Sequence, residues 1–255
     1  MHTERSAEGA GSLARRLGHE MGIDIPVATA AELDRFVESL EAWNARVNLT
    51  ALRAPRDVAI KHLLDSLTAF WVGEWPLGAR VVDVGTGGGL PGMVLKIARP
   101  DMQLSLVDAQ RRRIDAVRAI GAQLGMRGVE PVHGRIEALV RSDPARWRER
   151  ADVAVIRAVA GFAVACEYTL PLVRLGGWAV LMRGPDGEME AAEAEEAVSA
   201  LGGRIAEIRR IELPAGTGTR VLVGLQKVYP TPDRFPRREG IPARRPLGRE
   251  RQESQ

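Results

Sequence analysis

The chain has 255 residues, of which 45% are hydrophobic and 27% charged, with a formal net charge of +3. That balance excludes a chain disordered throughout and supplies the core of one large domain with a small appendage. The cations are 33 Arg against three Lys (Lys61, Lys96 and Lys227), a bias that genome composition explains as readily as phosphate recognition does.

Residues 1–26 read as a flexible lead-in, punctuated by Gly9, Gly11, Gly18 and Gly22 and closed by Pro26. No apolar run of signal-peptide type is present there. The single cysteine, Cys166, excludes an internal disulfide, and no segment is long and apolar enough for a membrane span. A cytoplasmic monomer is expected, with no membrane partner and no metal. Residues 29–48 carry Leu33, Phe36, Val37, Leu40, Trp43 and Val47 at three- and four-residue steps, which predicts a helix. Thr29 is its expected N-cap, with Glu32 at capping-box spacing. A second helix is expected over residues 55–72, with Pro55 in its first turn. Together they predict an N-terminal helical extension over residues 27–78.

From residue 79 short β-rich runs alternate with helical segments. The runs are 80–84, 103–107, 129–132, 153–156 and 178–182; the helices are 90–98, 111–124 and 162–175. An acidic, alanine-rich helix follows at 188–201, then two strand patterns, 204–213 and 219–227, joined by a short connector and expected to pair antiparallel. This predicts an α/β fold over residues 79–228. The expected topology is a Rossmann-like, mostly parallel seven-stranded sheet with an antiparallel last strand, the S-adenosylmethionine (SAM)-dependent methyltransferase arrangement. Residues 229–255 form a Pro/Arg-rich tail, expected to be extended. From Lys227 onward there are eight positive and four negative residues, so the basic character of the chain lies in this tail. That makes it a candidate clamp for RNA.

The most informative segment is Val81-Val-Asp-Val-Gly-Thr-Gly-Gly-Gly-Leu-Pro-Gly92. A strand ends in Asp83, and Gly85, Gly87 and Gly89 follow at every second position. Glycine permits positive φ and close approach to a ligand. The spacing is that of a SAM loop, and Asp83 suits a cationic ligand better than a pyrophosphate. Gly87, Gly89 and Gly92 also satisfy the weak dinucleotide pattern Gly-x-Gly-x-x-Gly, whereas no P-loop exists. A NAD(P)-dependent oxidoreductase and a non-catalytic RNA-binding module therefore stay open as alternatives. Asp108, at the end of the second strand, can hold ribose hydroxyls or cap the next helix. Arg157 ends the fourth strand, in the ligand crevice. The Asn/Asp-Pro-Pro-aromatic motif of amine methylases is absent, and Cys166 lies in a helical apolar pattern suited to burial. Arg111, Arg112 and Arg113 open a helix as either a solvated face or a phosphate patch. His62, between apolar residues, suits a structural role at least as well as a chemical one.

Several further motifs accompany the loop: Asn48-Leu-Thr-Ala51, Lys61-His-Leu-Leu-Asp-Ser-Leu67, Leu95-Lys-Ile-Ala-Arg-Pro100, Arg157-Ala-Val-Ala160 and Arg237-Arg-Glu-Gly-Ile-Pro242. In this combination, over residues 33–247, the chain resembles the bacterial 16S ribosomal RNA guanine-N7 methyltransferases, the small subunit methyltransferase G or glucose-inhibited division protein B family. The resemblance implies methyl transfer from SAM, leaving S-adenosylhomocysteine, to N7 of one guanine in the decoding-region loop of 16S rRNA. It implies SAM contacts at Gly85, Gly87 and Leu90 in the loop, where Asp83, Thr86 and Gly89 are expected as cofactor residues too. Asp108 would hold the ribose, Ile136 and Glu137 the adenine, and Arg157 would complete the site. Lys61, His62 and Asp65 would line its mouth, with Arg157, His62 and Lys61 as positioning residues. RNA contacts are expected from Arg111, Arg112, Arg113, Arg183, Arg237, Arg238, Arg244 and Arg245. Two departures stand out: Arg183-Gly184 replaces the family's usual Lys-Gly, and Arg220-Val221 replaces Arg-His. Guanine N7 has a lone pair and no proton, so no acid or base is required and positioning supplies the rate.

Overall fold

The computed structural model describes residues 8–248; the ends of the lead-in (1–7) and of the tail (249–255) lie outside the described residues. Helix α1 spans Ala10–Gly18 and α2 spans Val27–Asn44. A helical run of mixed pitch follows: α3 (Pro55–Val58), a π-helical turn (Ala59–Leu64), α4 (Asp65–Leu67) and a 3-10 turn (Thr68–Trp71). Strands and helices then alternate as β1 (Arg80–Val84), α5 (Gly92–Ala98), β2 (Gln103–Asp108), α6 (Arg111–Gln123), β3 (Val129–His133), α7 (Ile136–Ser142), α8 (Pro144–Trp147), β4 (Ala151–Arg157), α9 (Phe162–Thr169) and β5 (Val173–Arg183). Helices α10 (Gly187–Glu193) and α11 (Glu195–Ala200) lead into β6 (Gly203–Leu213), β7 (Gly218–Lys227) and the short α12 (Ile241–Arg244).

The seven strands form one sheet in the order β3-β2-β1-β4-β5-β7-β6. The first five strands are parallel, β7 runs antiparallel to β5, and β6 pairs antiparallel with β7. The expected fold class holds. β1 is buried at four of its five positions because helices cover both faces of the sheet. Alternate residues feed two cores. Val81, Leu104, Leu106, Val153 and Val155 pack under α2, α5, α6 and the helical run. Val82, Val84, Val107, Ala154 and Ile156 pack under α7, α9 and the tail's Phe235.

Five sequence expectations need correction. The lead-in is not loose from residue 10 on: α1 docks on α2, with Ala14 and Leu17 buried and Gly11 N–H donating to Asp34 Oδ1 at 2.6 Å. Its glycines read as punctuation, yet Gly11 lets the two helices touch, since a Cβ there would stand 2.1 Å from the Ala30 carbonyl oxygen. The N-terminal helices are also not an appendage, because Leu33, Phe36, Ile60 and Leu63 share one core with β1 and β2. Thr29 does not cap α2, which starts earlier, after Pro26. Finally, the helix expected over 162–175 stops at Thr169, where Leu170-Pro-Leu172 makes a 3-10 turn and β5 begins. The helix expected over 188–201 is likewise split, into α10 and α11.

Candidate functional site

The strand order switches sides between the parallel neighbours β1 and β4, so a crevice opens at their carboxyl ends. Into it β1 delivers the glycine loop. Gly85, Gly87 and Gly89 all take positive φ. Two of them need glycine for different reasons. A Cβ on Gly85 would lie 2.5 Å from Val159 Cγ2, whereas the Cβ position of Gly87 has nothing within 4 Å. Gly87 thus forms an open cradle in which backbone faces free space. Helix α5 starts at Gly92, two residues later than the sequence pattern indicates, after a cis Leu90–Pro91 bond.

Asp83 and Thr86 depart from the expected ligand contacts. Thr86 Oγ1 donates to Asp83 Oδ2 at 2.6 Å, and Gly92 N–H donates to the same oxygen at 2.9 Å. Both residues are buried and brace the loop from beneath. Burial raises the Asp83 carboxyl to about 6, against those two hydrogen bonds. Its Oδ1 is buried with no hydrogen-bond partner among the described residues. The charge under the cradle is therefore negative and incompletely compensated, which suits a sulfonium or ammonium ligand and opposes a pyrophosphate.

Asp108 joins the second strand end to the same loop. Its Oδ2 accepts from Gly87 N–H at 3.0 Å and its Oδ1 from Gln110 N–H at 2.8 Å. The second bond organises the start of α6, so the helix-start and loop roles coexist in one carboxylate. Ile136 opens α7 and is buried with Val84 and Val107. The Glu137 carboxylate does not turn toward the crevice; its Oε1 accepts from Gly240 N–H at 3.1 Å. Only the backbone of Glu137 remains for an adenine edge. Gly89 and Leu90 pack inward, a Cβ on Gly89 standing 2.6 Å from Met93 Sδ and Leu90 being buried.

Beside the loop lies a cavity of about 570 Å³, lined by Lys61, His62, Asp65, Arg157, Arg183 and Arg220, among others. Arg157 Nη1 donates to Asp65 Oδ2 at 3.1 Å and to Ser66 Oγ at 3.3 Å. Arg220 Nε stands 3.3 Å from Asp65 Oδ1. One carboxylate, 3% exposed, is thus shared by two guanidiniums from β4 and β7. Sequence reading assigned Arg220 no role, because it comes from a strand 63 positions after Arg157 and only the sheet order brings the two together.

Lys61 forms an ion pair with Asp57 at 2.8 Å, one helical turn away. His62 Nε2 lies 2.6 Å from Thr50 Oγ1, which ties the Asn48–Ala51 segment to the helical run. Burial, with the Arg157 charge nearby, lowers the imidazole to about 4, so His62 is neutral at physiological pH and holds position instead of carrying protons. Asn44 was also missed: its Oδ1 accepts from the N–H groups of Leu49 and Thr50, and its Nδ2 donates to the Thr50 carbonyl at 2.8 Å. An Asn at a helix end gives a sequence signal, but not its target.

After Arg157 the backbone is strained. Ala158 and Ala160 take φ of +54° and +56°, a region costly for non-glycine residues and frequent at functional sites. This turn brings Val159 over Gly85. Arg183 Nη1 donates to the Ala160 carbonyl at 3.1 Å, and its Nε and Nη2 bond the Glu190 carboxylate at 2.8 and 3.0 Å. Arg183 therefore supports the turn from within the chain, and its side chain also lines the cavity. Arg237 is corrected from RNA contact: it grips the buried Glu167 through Nε and Nη2. Arg113 leans toward Asp108 at 3.5 Å, whereas Arg111, Arg112, Arg238, Arg244 and Arg245 are exposed.

The sequence profile of the rRNA small subunit methyltransferase G family matches residues 29–214. Ribosomal RNA small subunit methyltransferase G of Moorella thermoacetica is 40% identical over 228 residues, covering 89% of this chain and 94% of the relative. The protein of the same name from Deinococcus deserti is 41% identical, covering 89% and 92%. Among solved structures, TrmN from Thermus thermophilus superposes with a TM-score of 0.50 at 17% identity, over 72% of this chain and 53% of that one, a likeness of fold.

Proposed function

The chain belongs to the rRNA small subunit methyltransferase G family, and we propose that it transfers the methyl group of SAM to N7 of one guanine in 16S rRNA. The observation that carries this reading is the adjacency of two spaces at the carboxyl ends of the central strands. The glycine cradle, with negative charge beneath it, suits the cationic cofactor. The arginine-lined cavity next to it has room for an unstacked guanine, an expense of a few kcal/mol that base-modifying enzymes meet. SAM supplies an activated methyl on a sulfonium. The chain's own residues then need only align the base. Arg157, Arg183 and Arg220 are permanent cations that can neither take nor give a proton at neutral pH, and His62 is neutral and already bonded. That equipment fits a nucleophile with a free lone pair.

Gly85, Gly87 and the backbone before α5 would cradle the cofactor, Asp108 its ribose, and Ile136 with the Glu137 backbone its adenine. Exposed Arg111, Arg112, Arg238, Arg244 and Arg245 would hold phosphates, with the protein acting as a monomer in the cytoplasm on small subunits or their rRNA. Among the described residues, no helix is long and apolar enough to cross a membrane. The test is label transfer from radioactive SAM to small subunits that lack the modification, followed by borohydride reduction and aniline cleavage at N7-methylguanine. One labelled guanine with strand cleavage is expected; no label, or label without cleavage, overturns the reading.

A further inference from the structure

The tail is not the free clamp its composition indicates. β7 ends beside the start of β5, at the amino ends of the parallel strands. Glu137 stands in the first turn of α7, just past the carboxyl end of β3. Residues 228–240 therefore run the full height of the sheet as a strap. Each stage of it is tied to the body. Lys227 Nζ pairs with Glu149 at 3.1 Å, and Thr231 N–H donates to the same carboxylate at 2.7 Å. Arg148 Nη1 donates to the Phe235 carbonyl at 2.6 Å, and the Phe235 ring is buried. Arg237 doubles its grip on Glu167, whose carboxylate is wholly buried, by donating its backbone N–H at 2.7 Å. The last tie is Gly240 N–H to Glu137 Oε1.

That last tie is the one with a consequence for the site. Glu137 is 2% exposed, and its carboxylate faces the strap and not the crevice. A buried carboxylate is expensive unless its oxygens are bonded; Tyr168 of α9 also bonds Glu137, and the Gly240 N–H of the docked strap supplies the further bond that seats the first turn of α7. We infer that the C-terminal strap is a positioning element of the cofactor site and acts through Glu137, a residue that does not touch the cofactor with its side chain. This rests on the reading that Ile136 and the Glu137 backbone face the adenine. The strap sets the height and angle of that turn, much as outer hydrogen bonds orient inner ligands elsewhere. Its exposed Arg238 lies two residues from the tie, so a phosphate that draws on the strap also acts on the cofactor site.

The experiment uses the full chain and calorimetric binding of S-adenosylhomocysteine, with the melting temperature measured alongside. Glu137→Ala removes the acceptor. Gly240→Pro removes the donor and cannot adopt the φ of +75° found there. Each should weaken binding about tenfold, in the usual range for coupled sites, while the melting temperature moves only a few degrees. Glu137→Gln keeps an acceptor oxygen and should recover most of the affinity. Ile136→Ala reports on the adenine reading itself. If Ile136→Ala weakens binding while Glu137→Ala and Gly240→Pro bind like the parent, the strap inference alone is overturned. If Ile136→Ala also binds like the parent, the adenine reading fails with it. A Glu137→Gln variant as weak as Glu137→Ala overturns the hydrogen-bond route. Should Glu137→Ala not fold, Gly240→Pro decides, since it leaves the carboxylate in place.

Discussion

Arg157 Nη1 stands 3.1 Å from Asp65 Oδ2, and this contact joins the carboxyl end of β4 to the N-terminal helical run. Asp65 also faces Arg220 from β7, so one buried carboxylate is shared by two cations, which leaves the cavity wall with a net positive charge. Removing one partner of a buried ion pair leaves the other charge uncompensated. Asp65→Ala should cost about 3 kcal/mol, read from urea denaturation. It should also lower methyl transfer more than cofactor binding, because the cradle residues are untouched. A variant as stable as the parent would show that the two guanidiniums do not need it.

Gly85→Ala should weaken SAM binding at least about tenfold, since positive φ is costly for alanine and its Cβ meets Val159 Cγ2 at 2.5 Å. Val159→Ala in the same chain should return part of the affinity by removing the clash. Calorimetry on the single and double variants checks both statements. Unchanged binding in Gly85→Ala would mean that the loop is not the contact.

Cofactor affinity should fall on acidification. The Asp83 carboxyl is raised to about 6 in the free protein. A cation bound above it favours the ionised form, so below that pH binding must release a proton. Affinity should be level above pH 7 and decline by at most about tenfold per pH unit below 6. Titrations in buffers of different ionisation enthalpy should detect the released proton at pH 5.5. A level profile from pH 5 to 8 would remove Asp83 from the electrostatics of the site.

The His62 shift runs downward where that of Asp83 runs upward, and it acts on stability. The imidazole is depressed to about 4 in the folded chain, from an ordinary value of 6.5. Its contribution is therefore complete above pH 6.5 and lost as pH falls toward 4, reaching about 3 kcal/mol. The difference in stability between the parent and His62→Asn, followed over that range, isolates it from Asp83. NMR should show one of the four histidine rings still neutral at pH 5.

Arg111 and Arg112 should act on RNA through charge alone. Their joint replacement by alanine should reduce the salt dependence of rRNA binding by up to about two phosphate contacts. Arg237→Ala should leave that slope unchanged, because its charge is spent on Glu167, and should instead cost about 3 kcal/mol of stability. Filter-binding across a salt series, with denaturation in parallel, separates the two.

Much of the fold is legible in the sequence because parallel strands and their helices are local patterns. Buried runs such as Val81–Val84 and the apolar face of α6 repeat at their own periods, and strands that alternate with helices read as parallel. The glycine loop is legible for the same reason: strand, positive-φ turn and helix are consecutive. The errors fall where one segment's state depends on another. Gly11 looks like a breaker until α2 lies against it. Pro171 sits inside an apolar run, and the strand that starts beyond it pairs with β4.

The sequence alone determined the sheet class, the cofactor loop and the family, since each is written in contiguous residues and their spacing. The tertiary structure decided what each charge is for. Arginine in a string offers the same fork to phosphate, to carboxylate and to carbonyl, and nothing in its neighbours along the chain chooses among them. Packing chose: Arg183 and Arg237 were drawn to Glu190 and Glu167, Arg157 and Arg220 to Asp65, and Arg111 and Arg112 were left to solvent. Burial makes an unpaired charge costly, so partners distant in sequence had to be brought together, and only the folded chain reveals which.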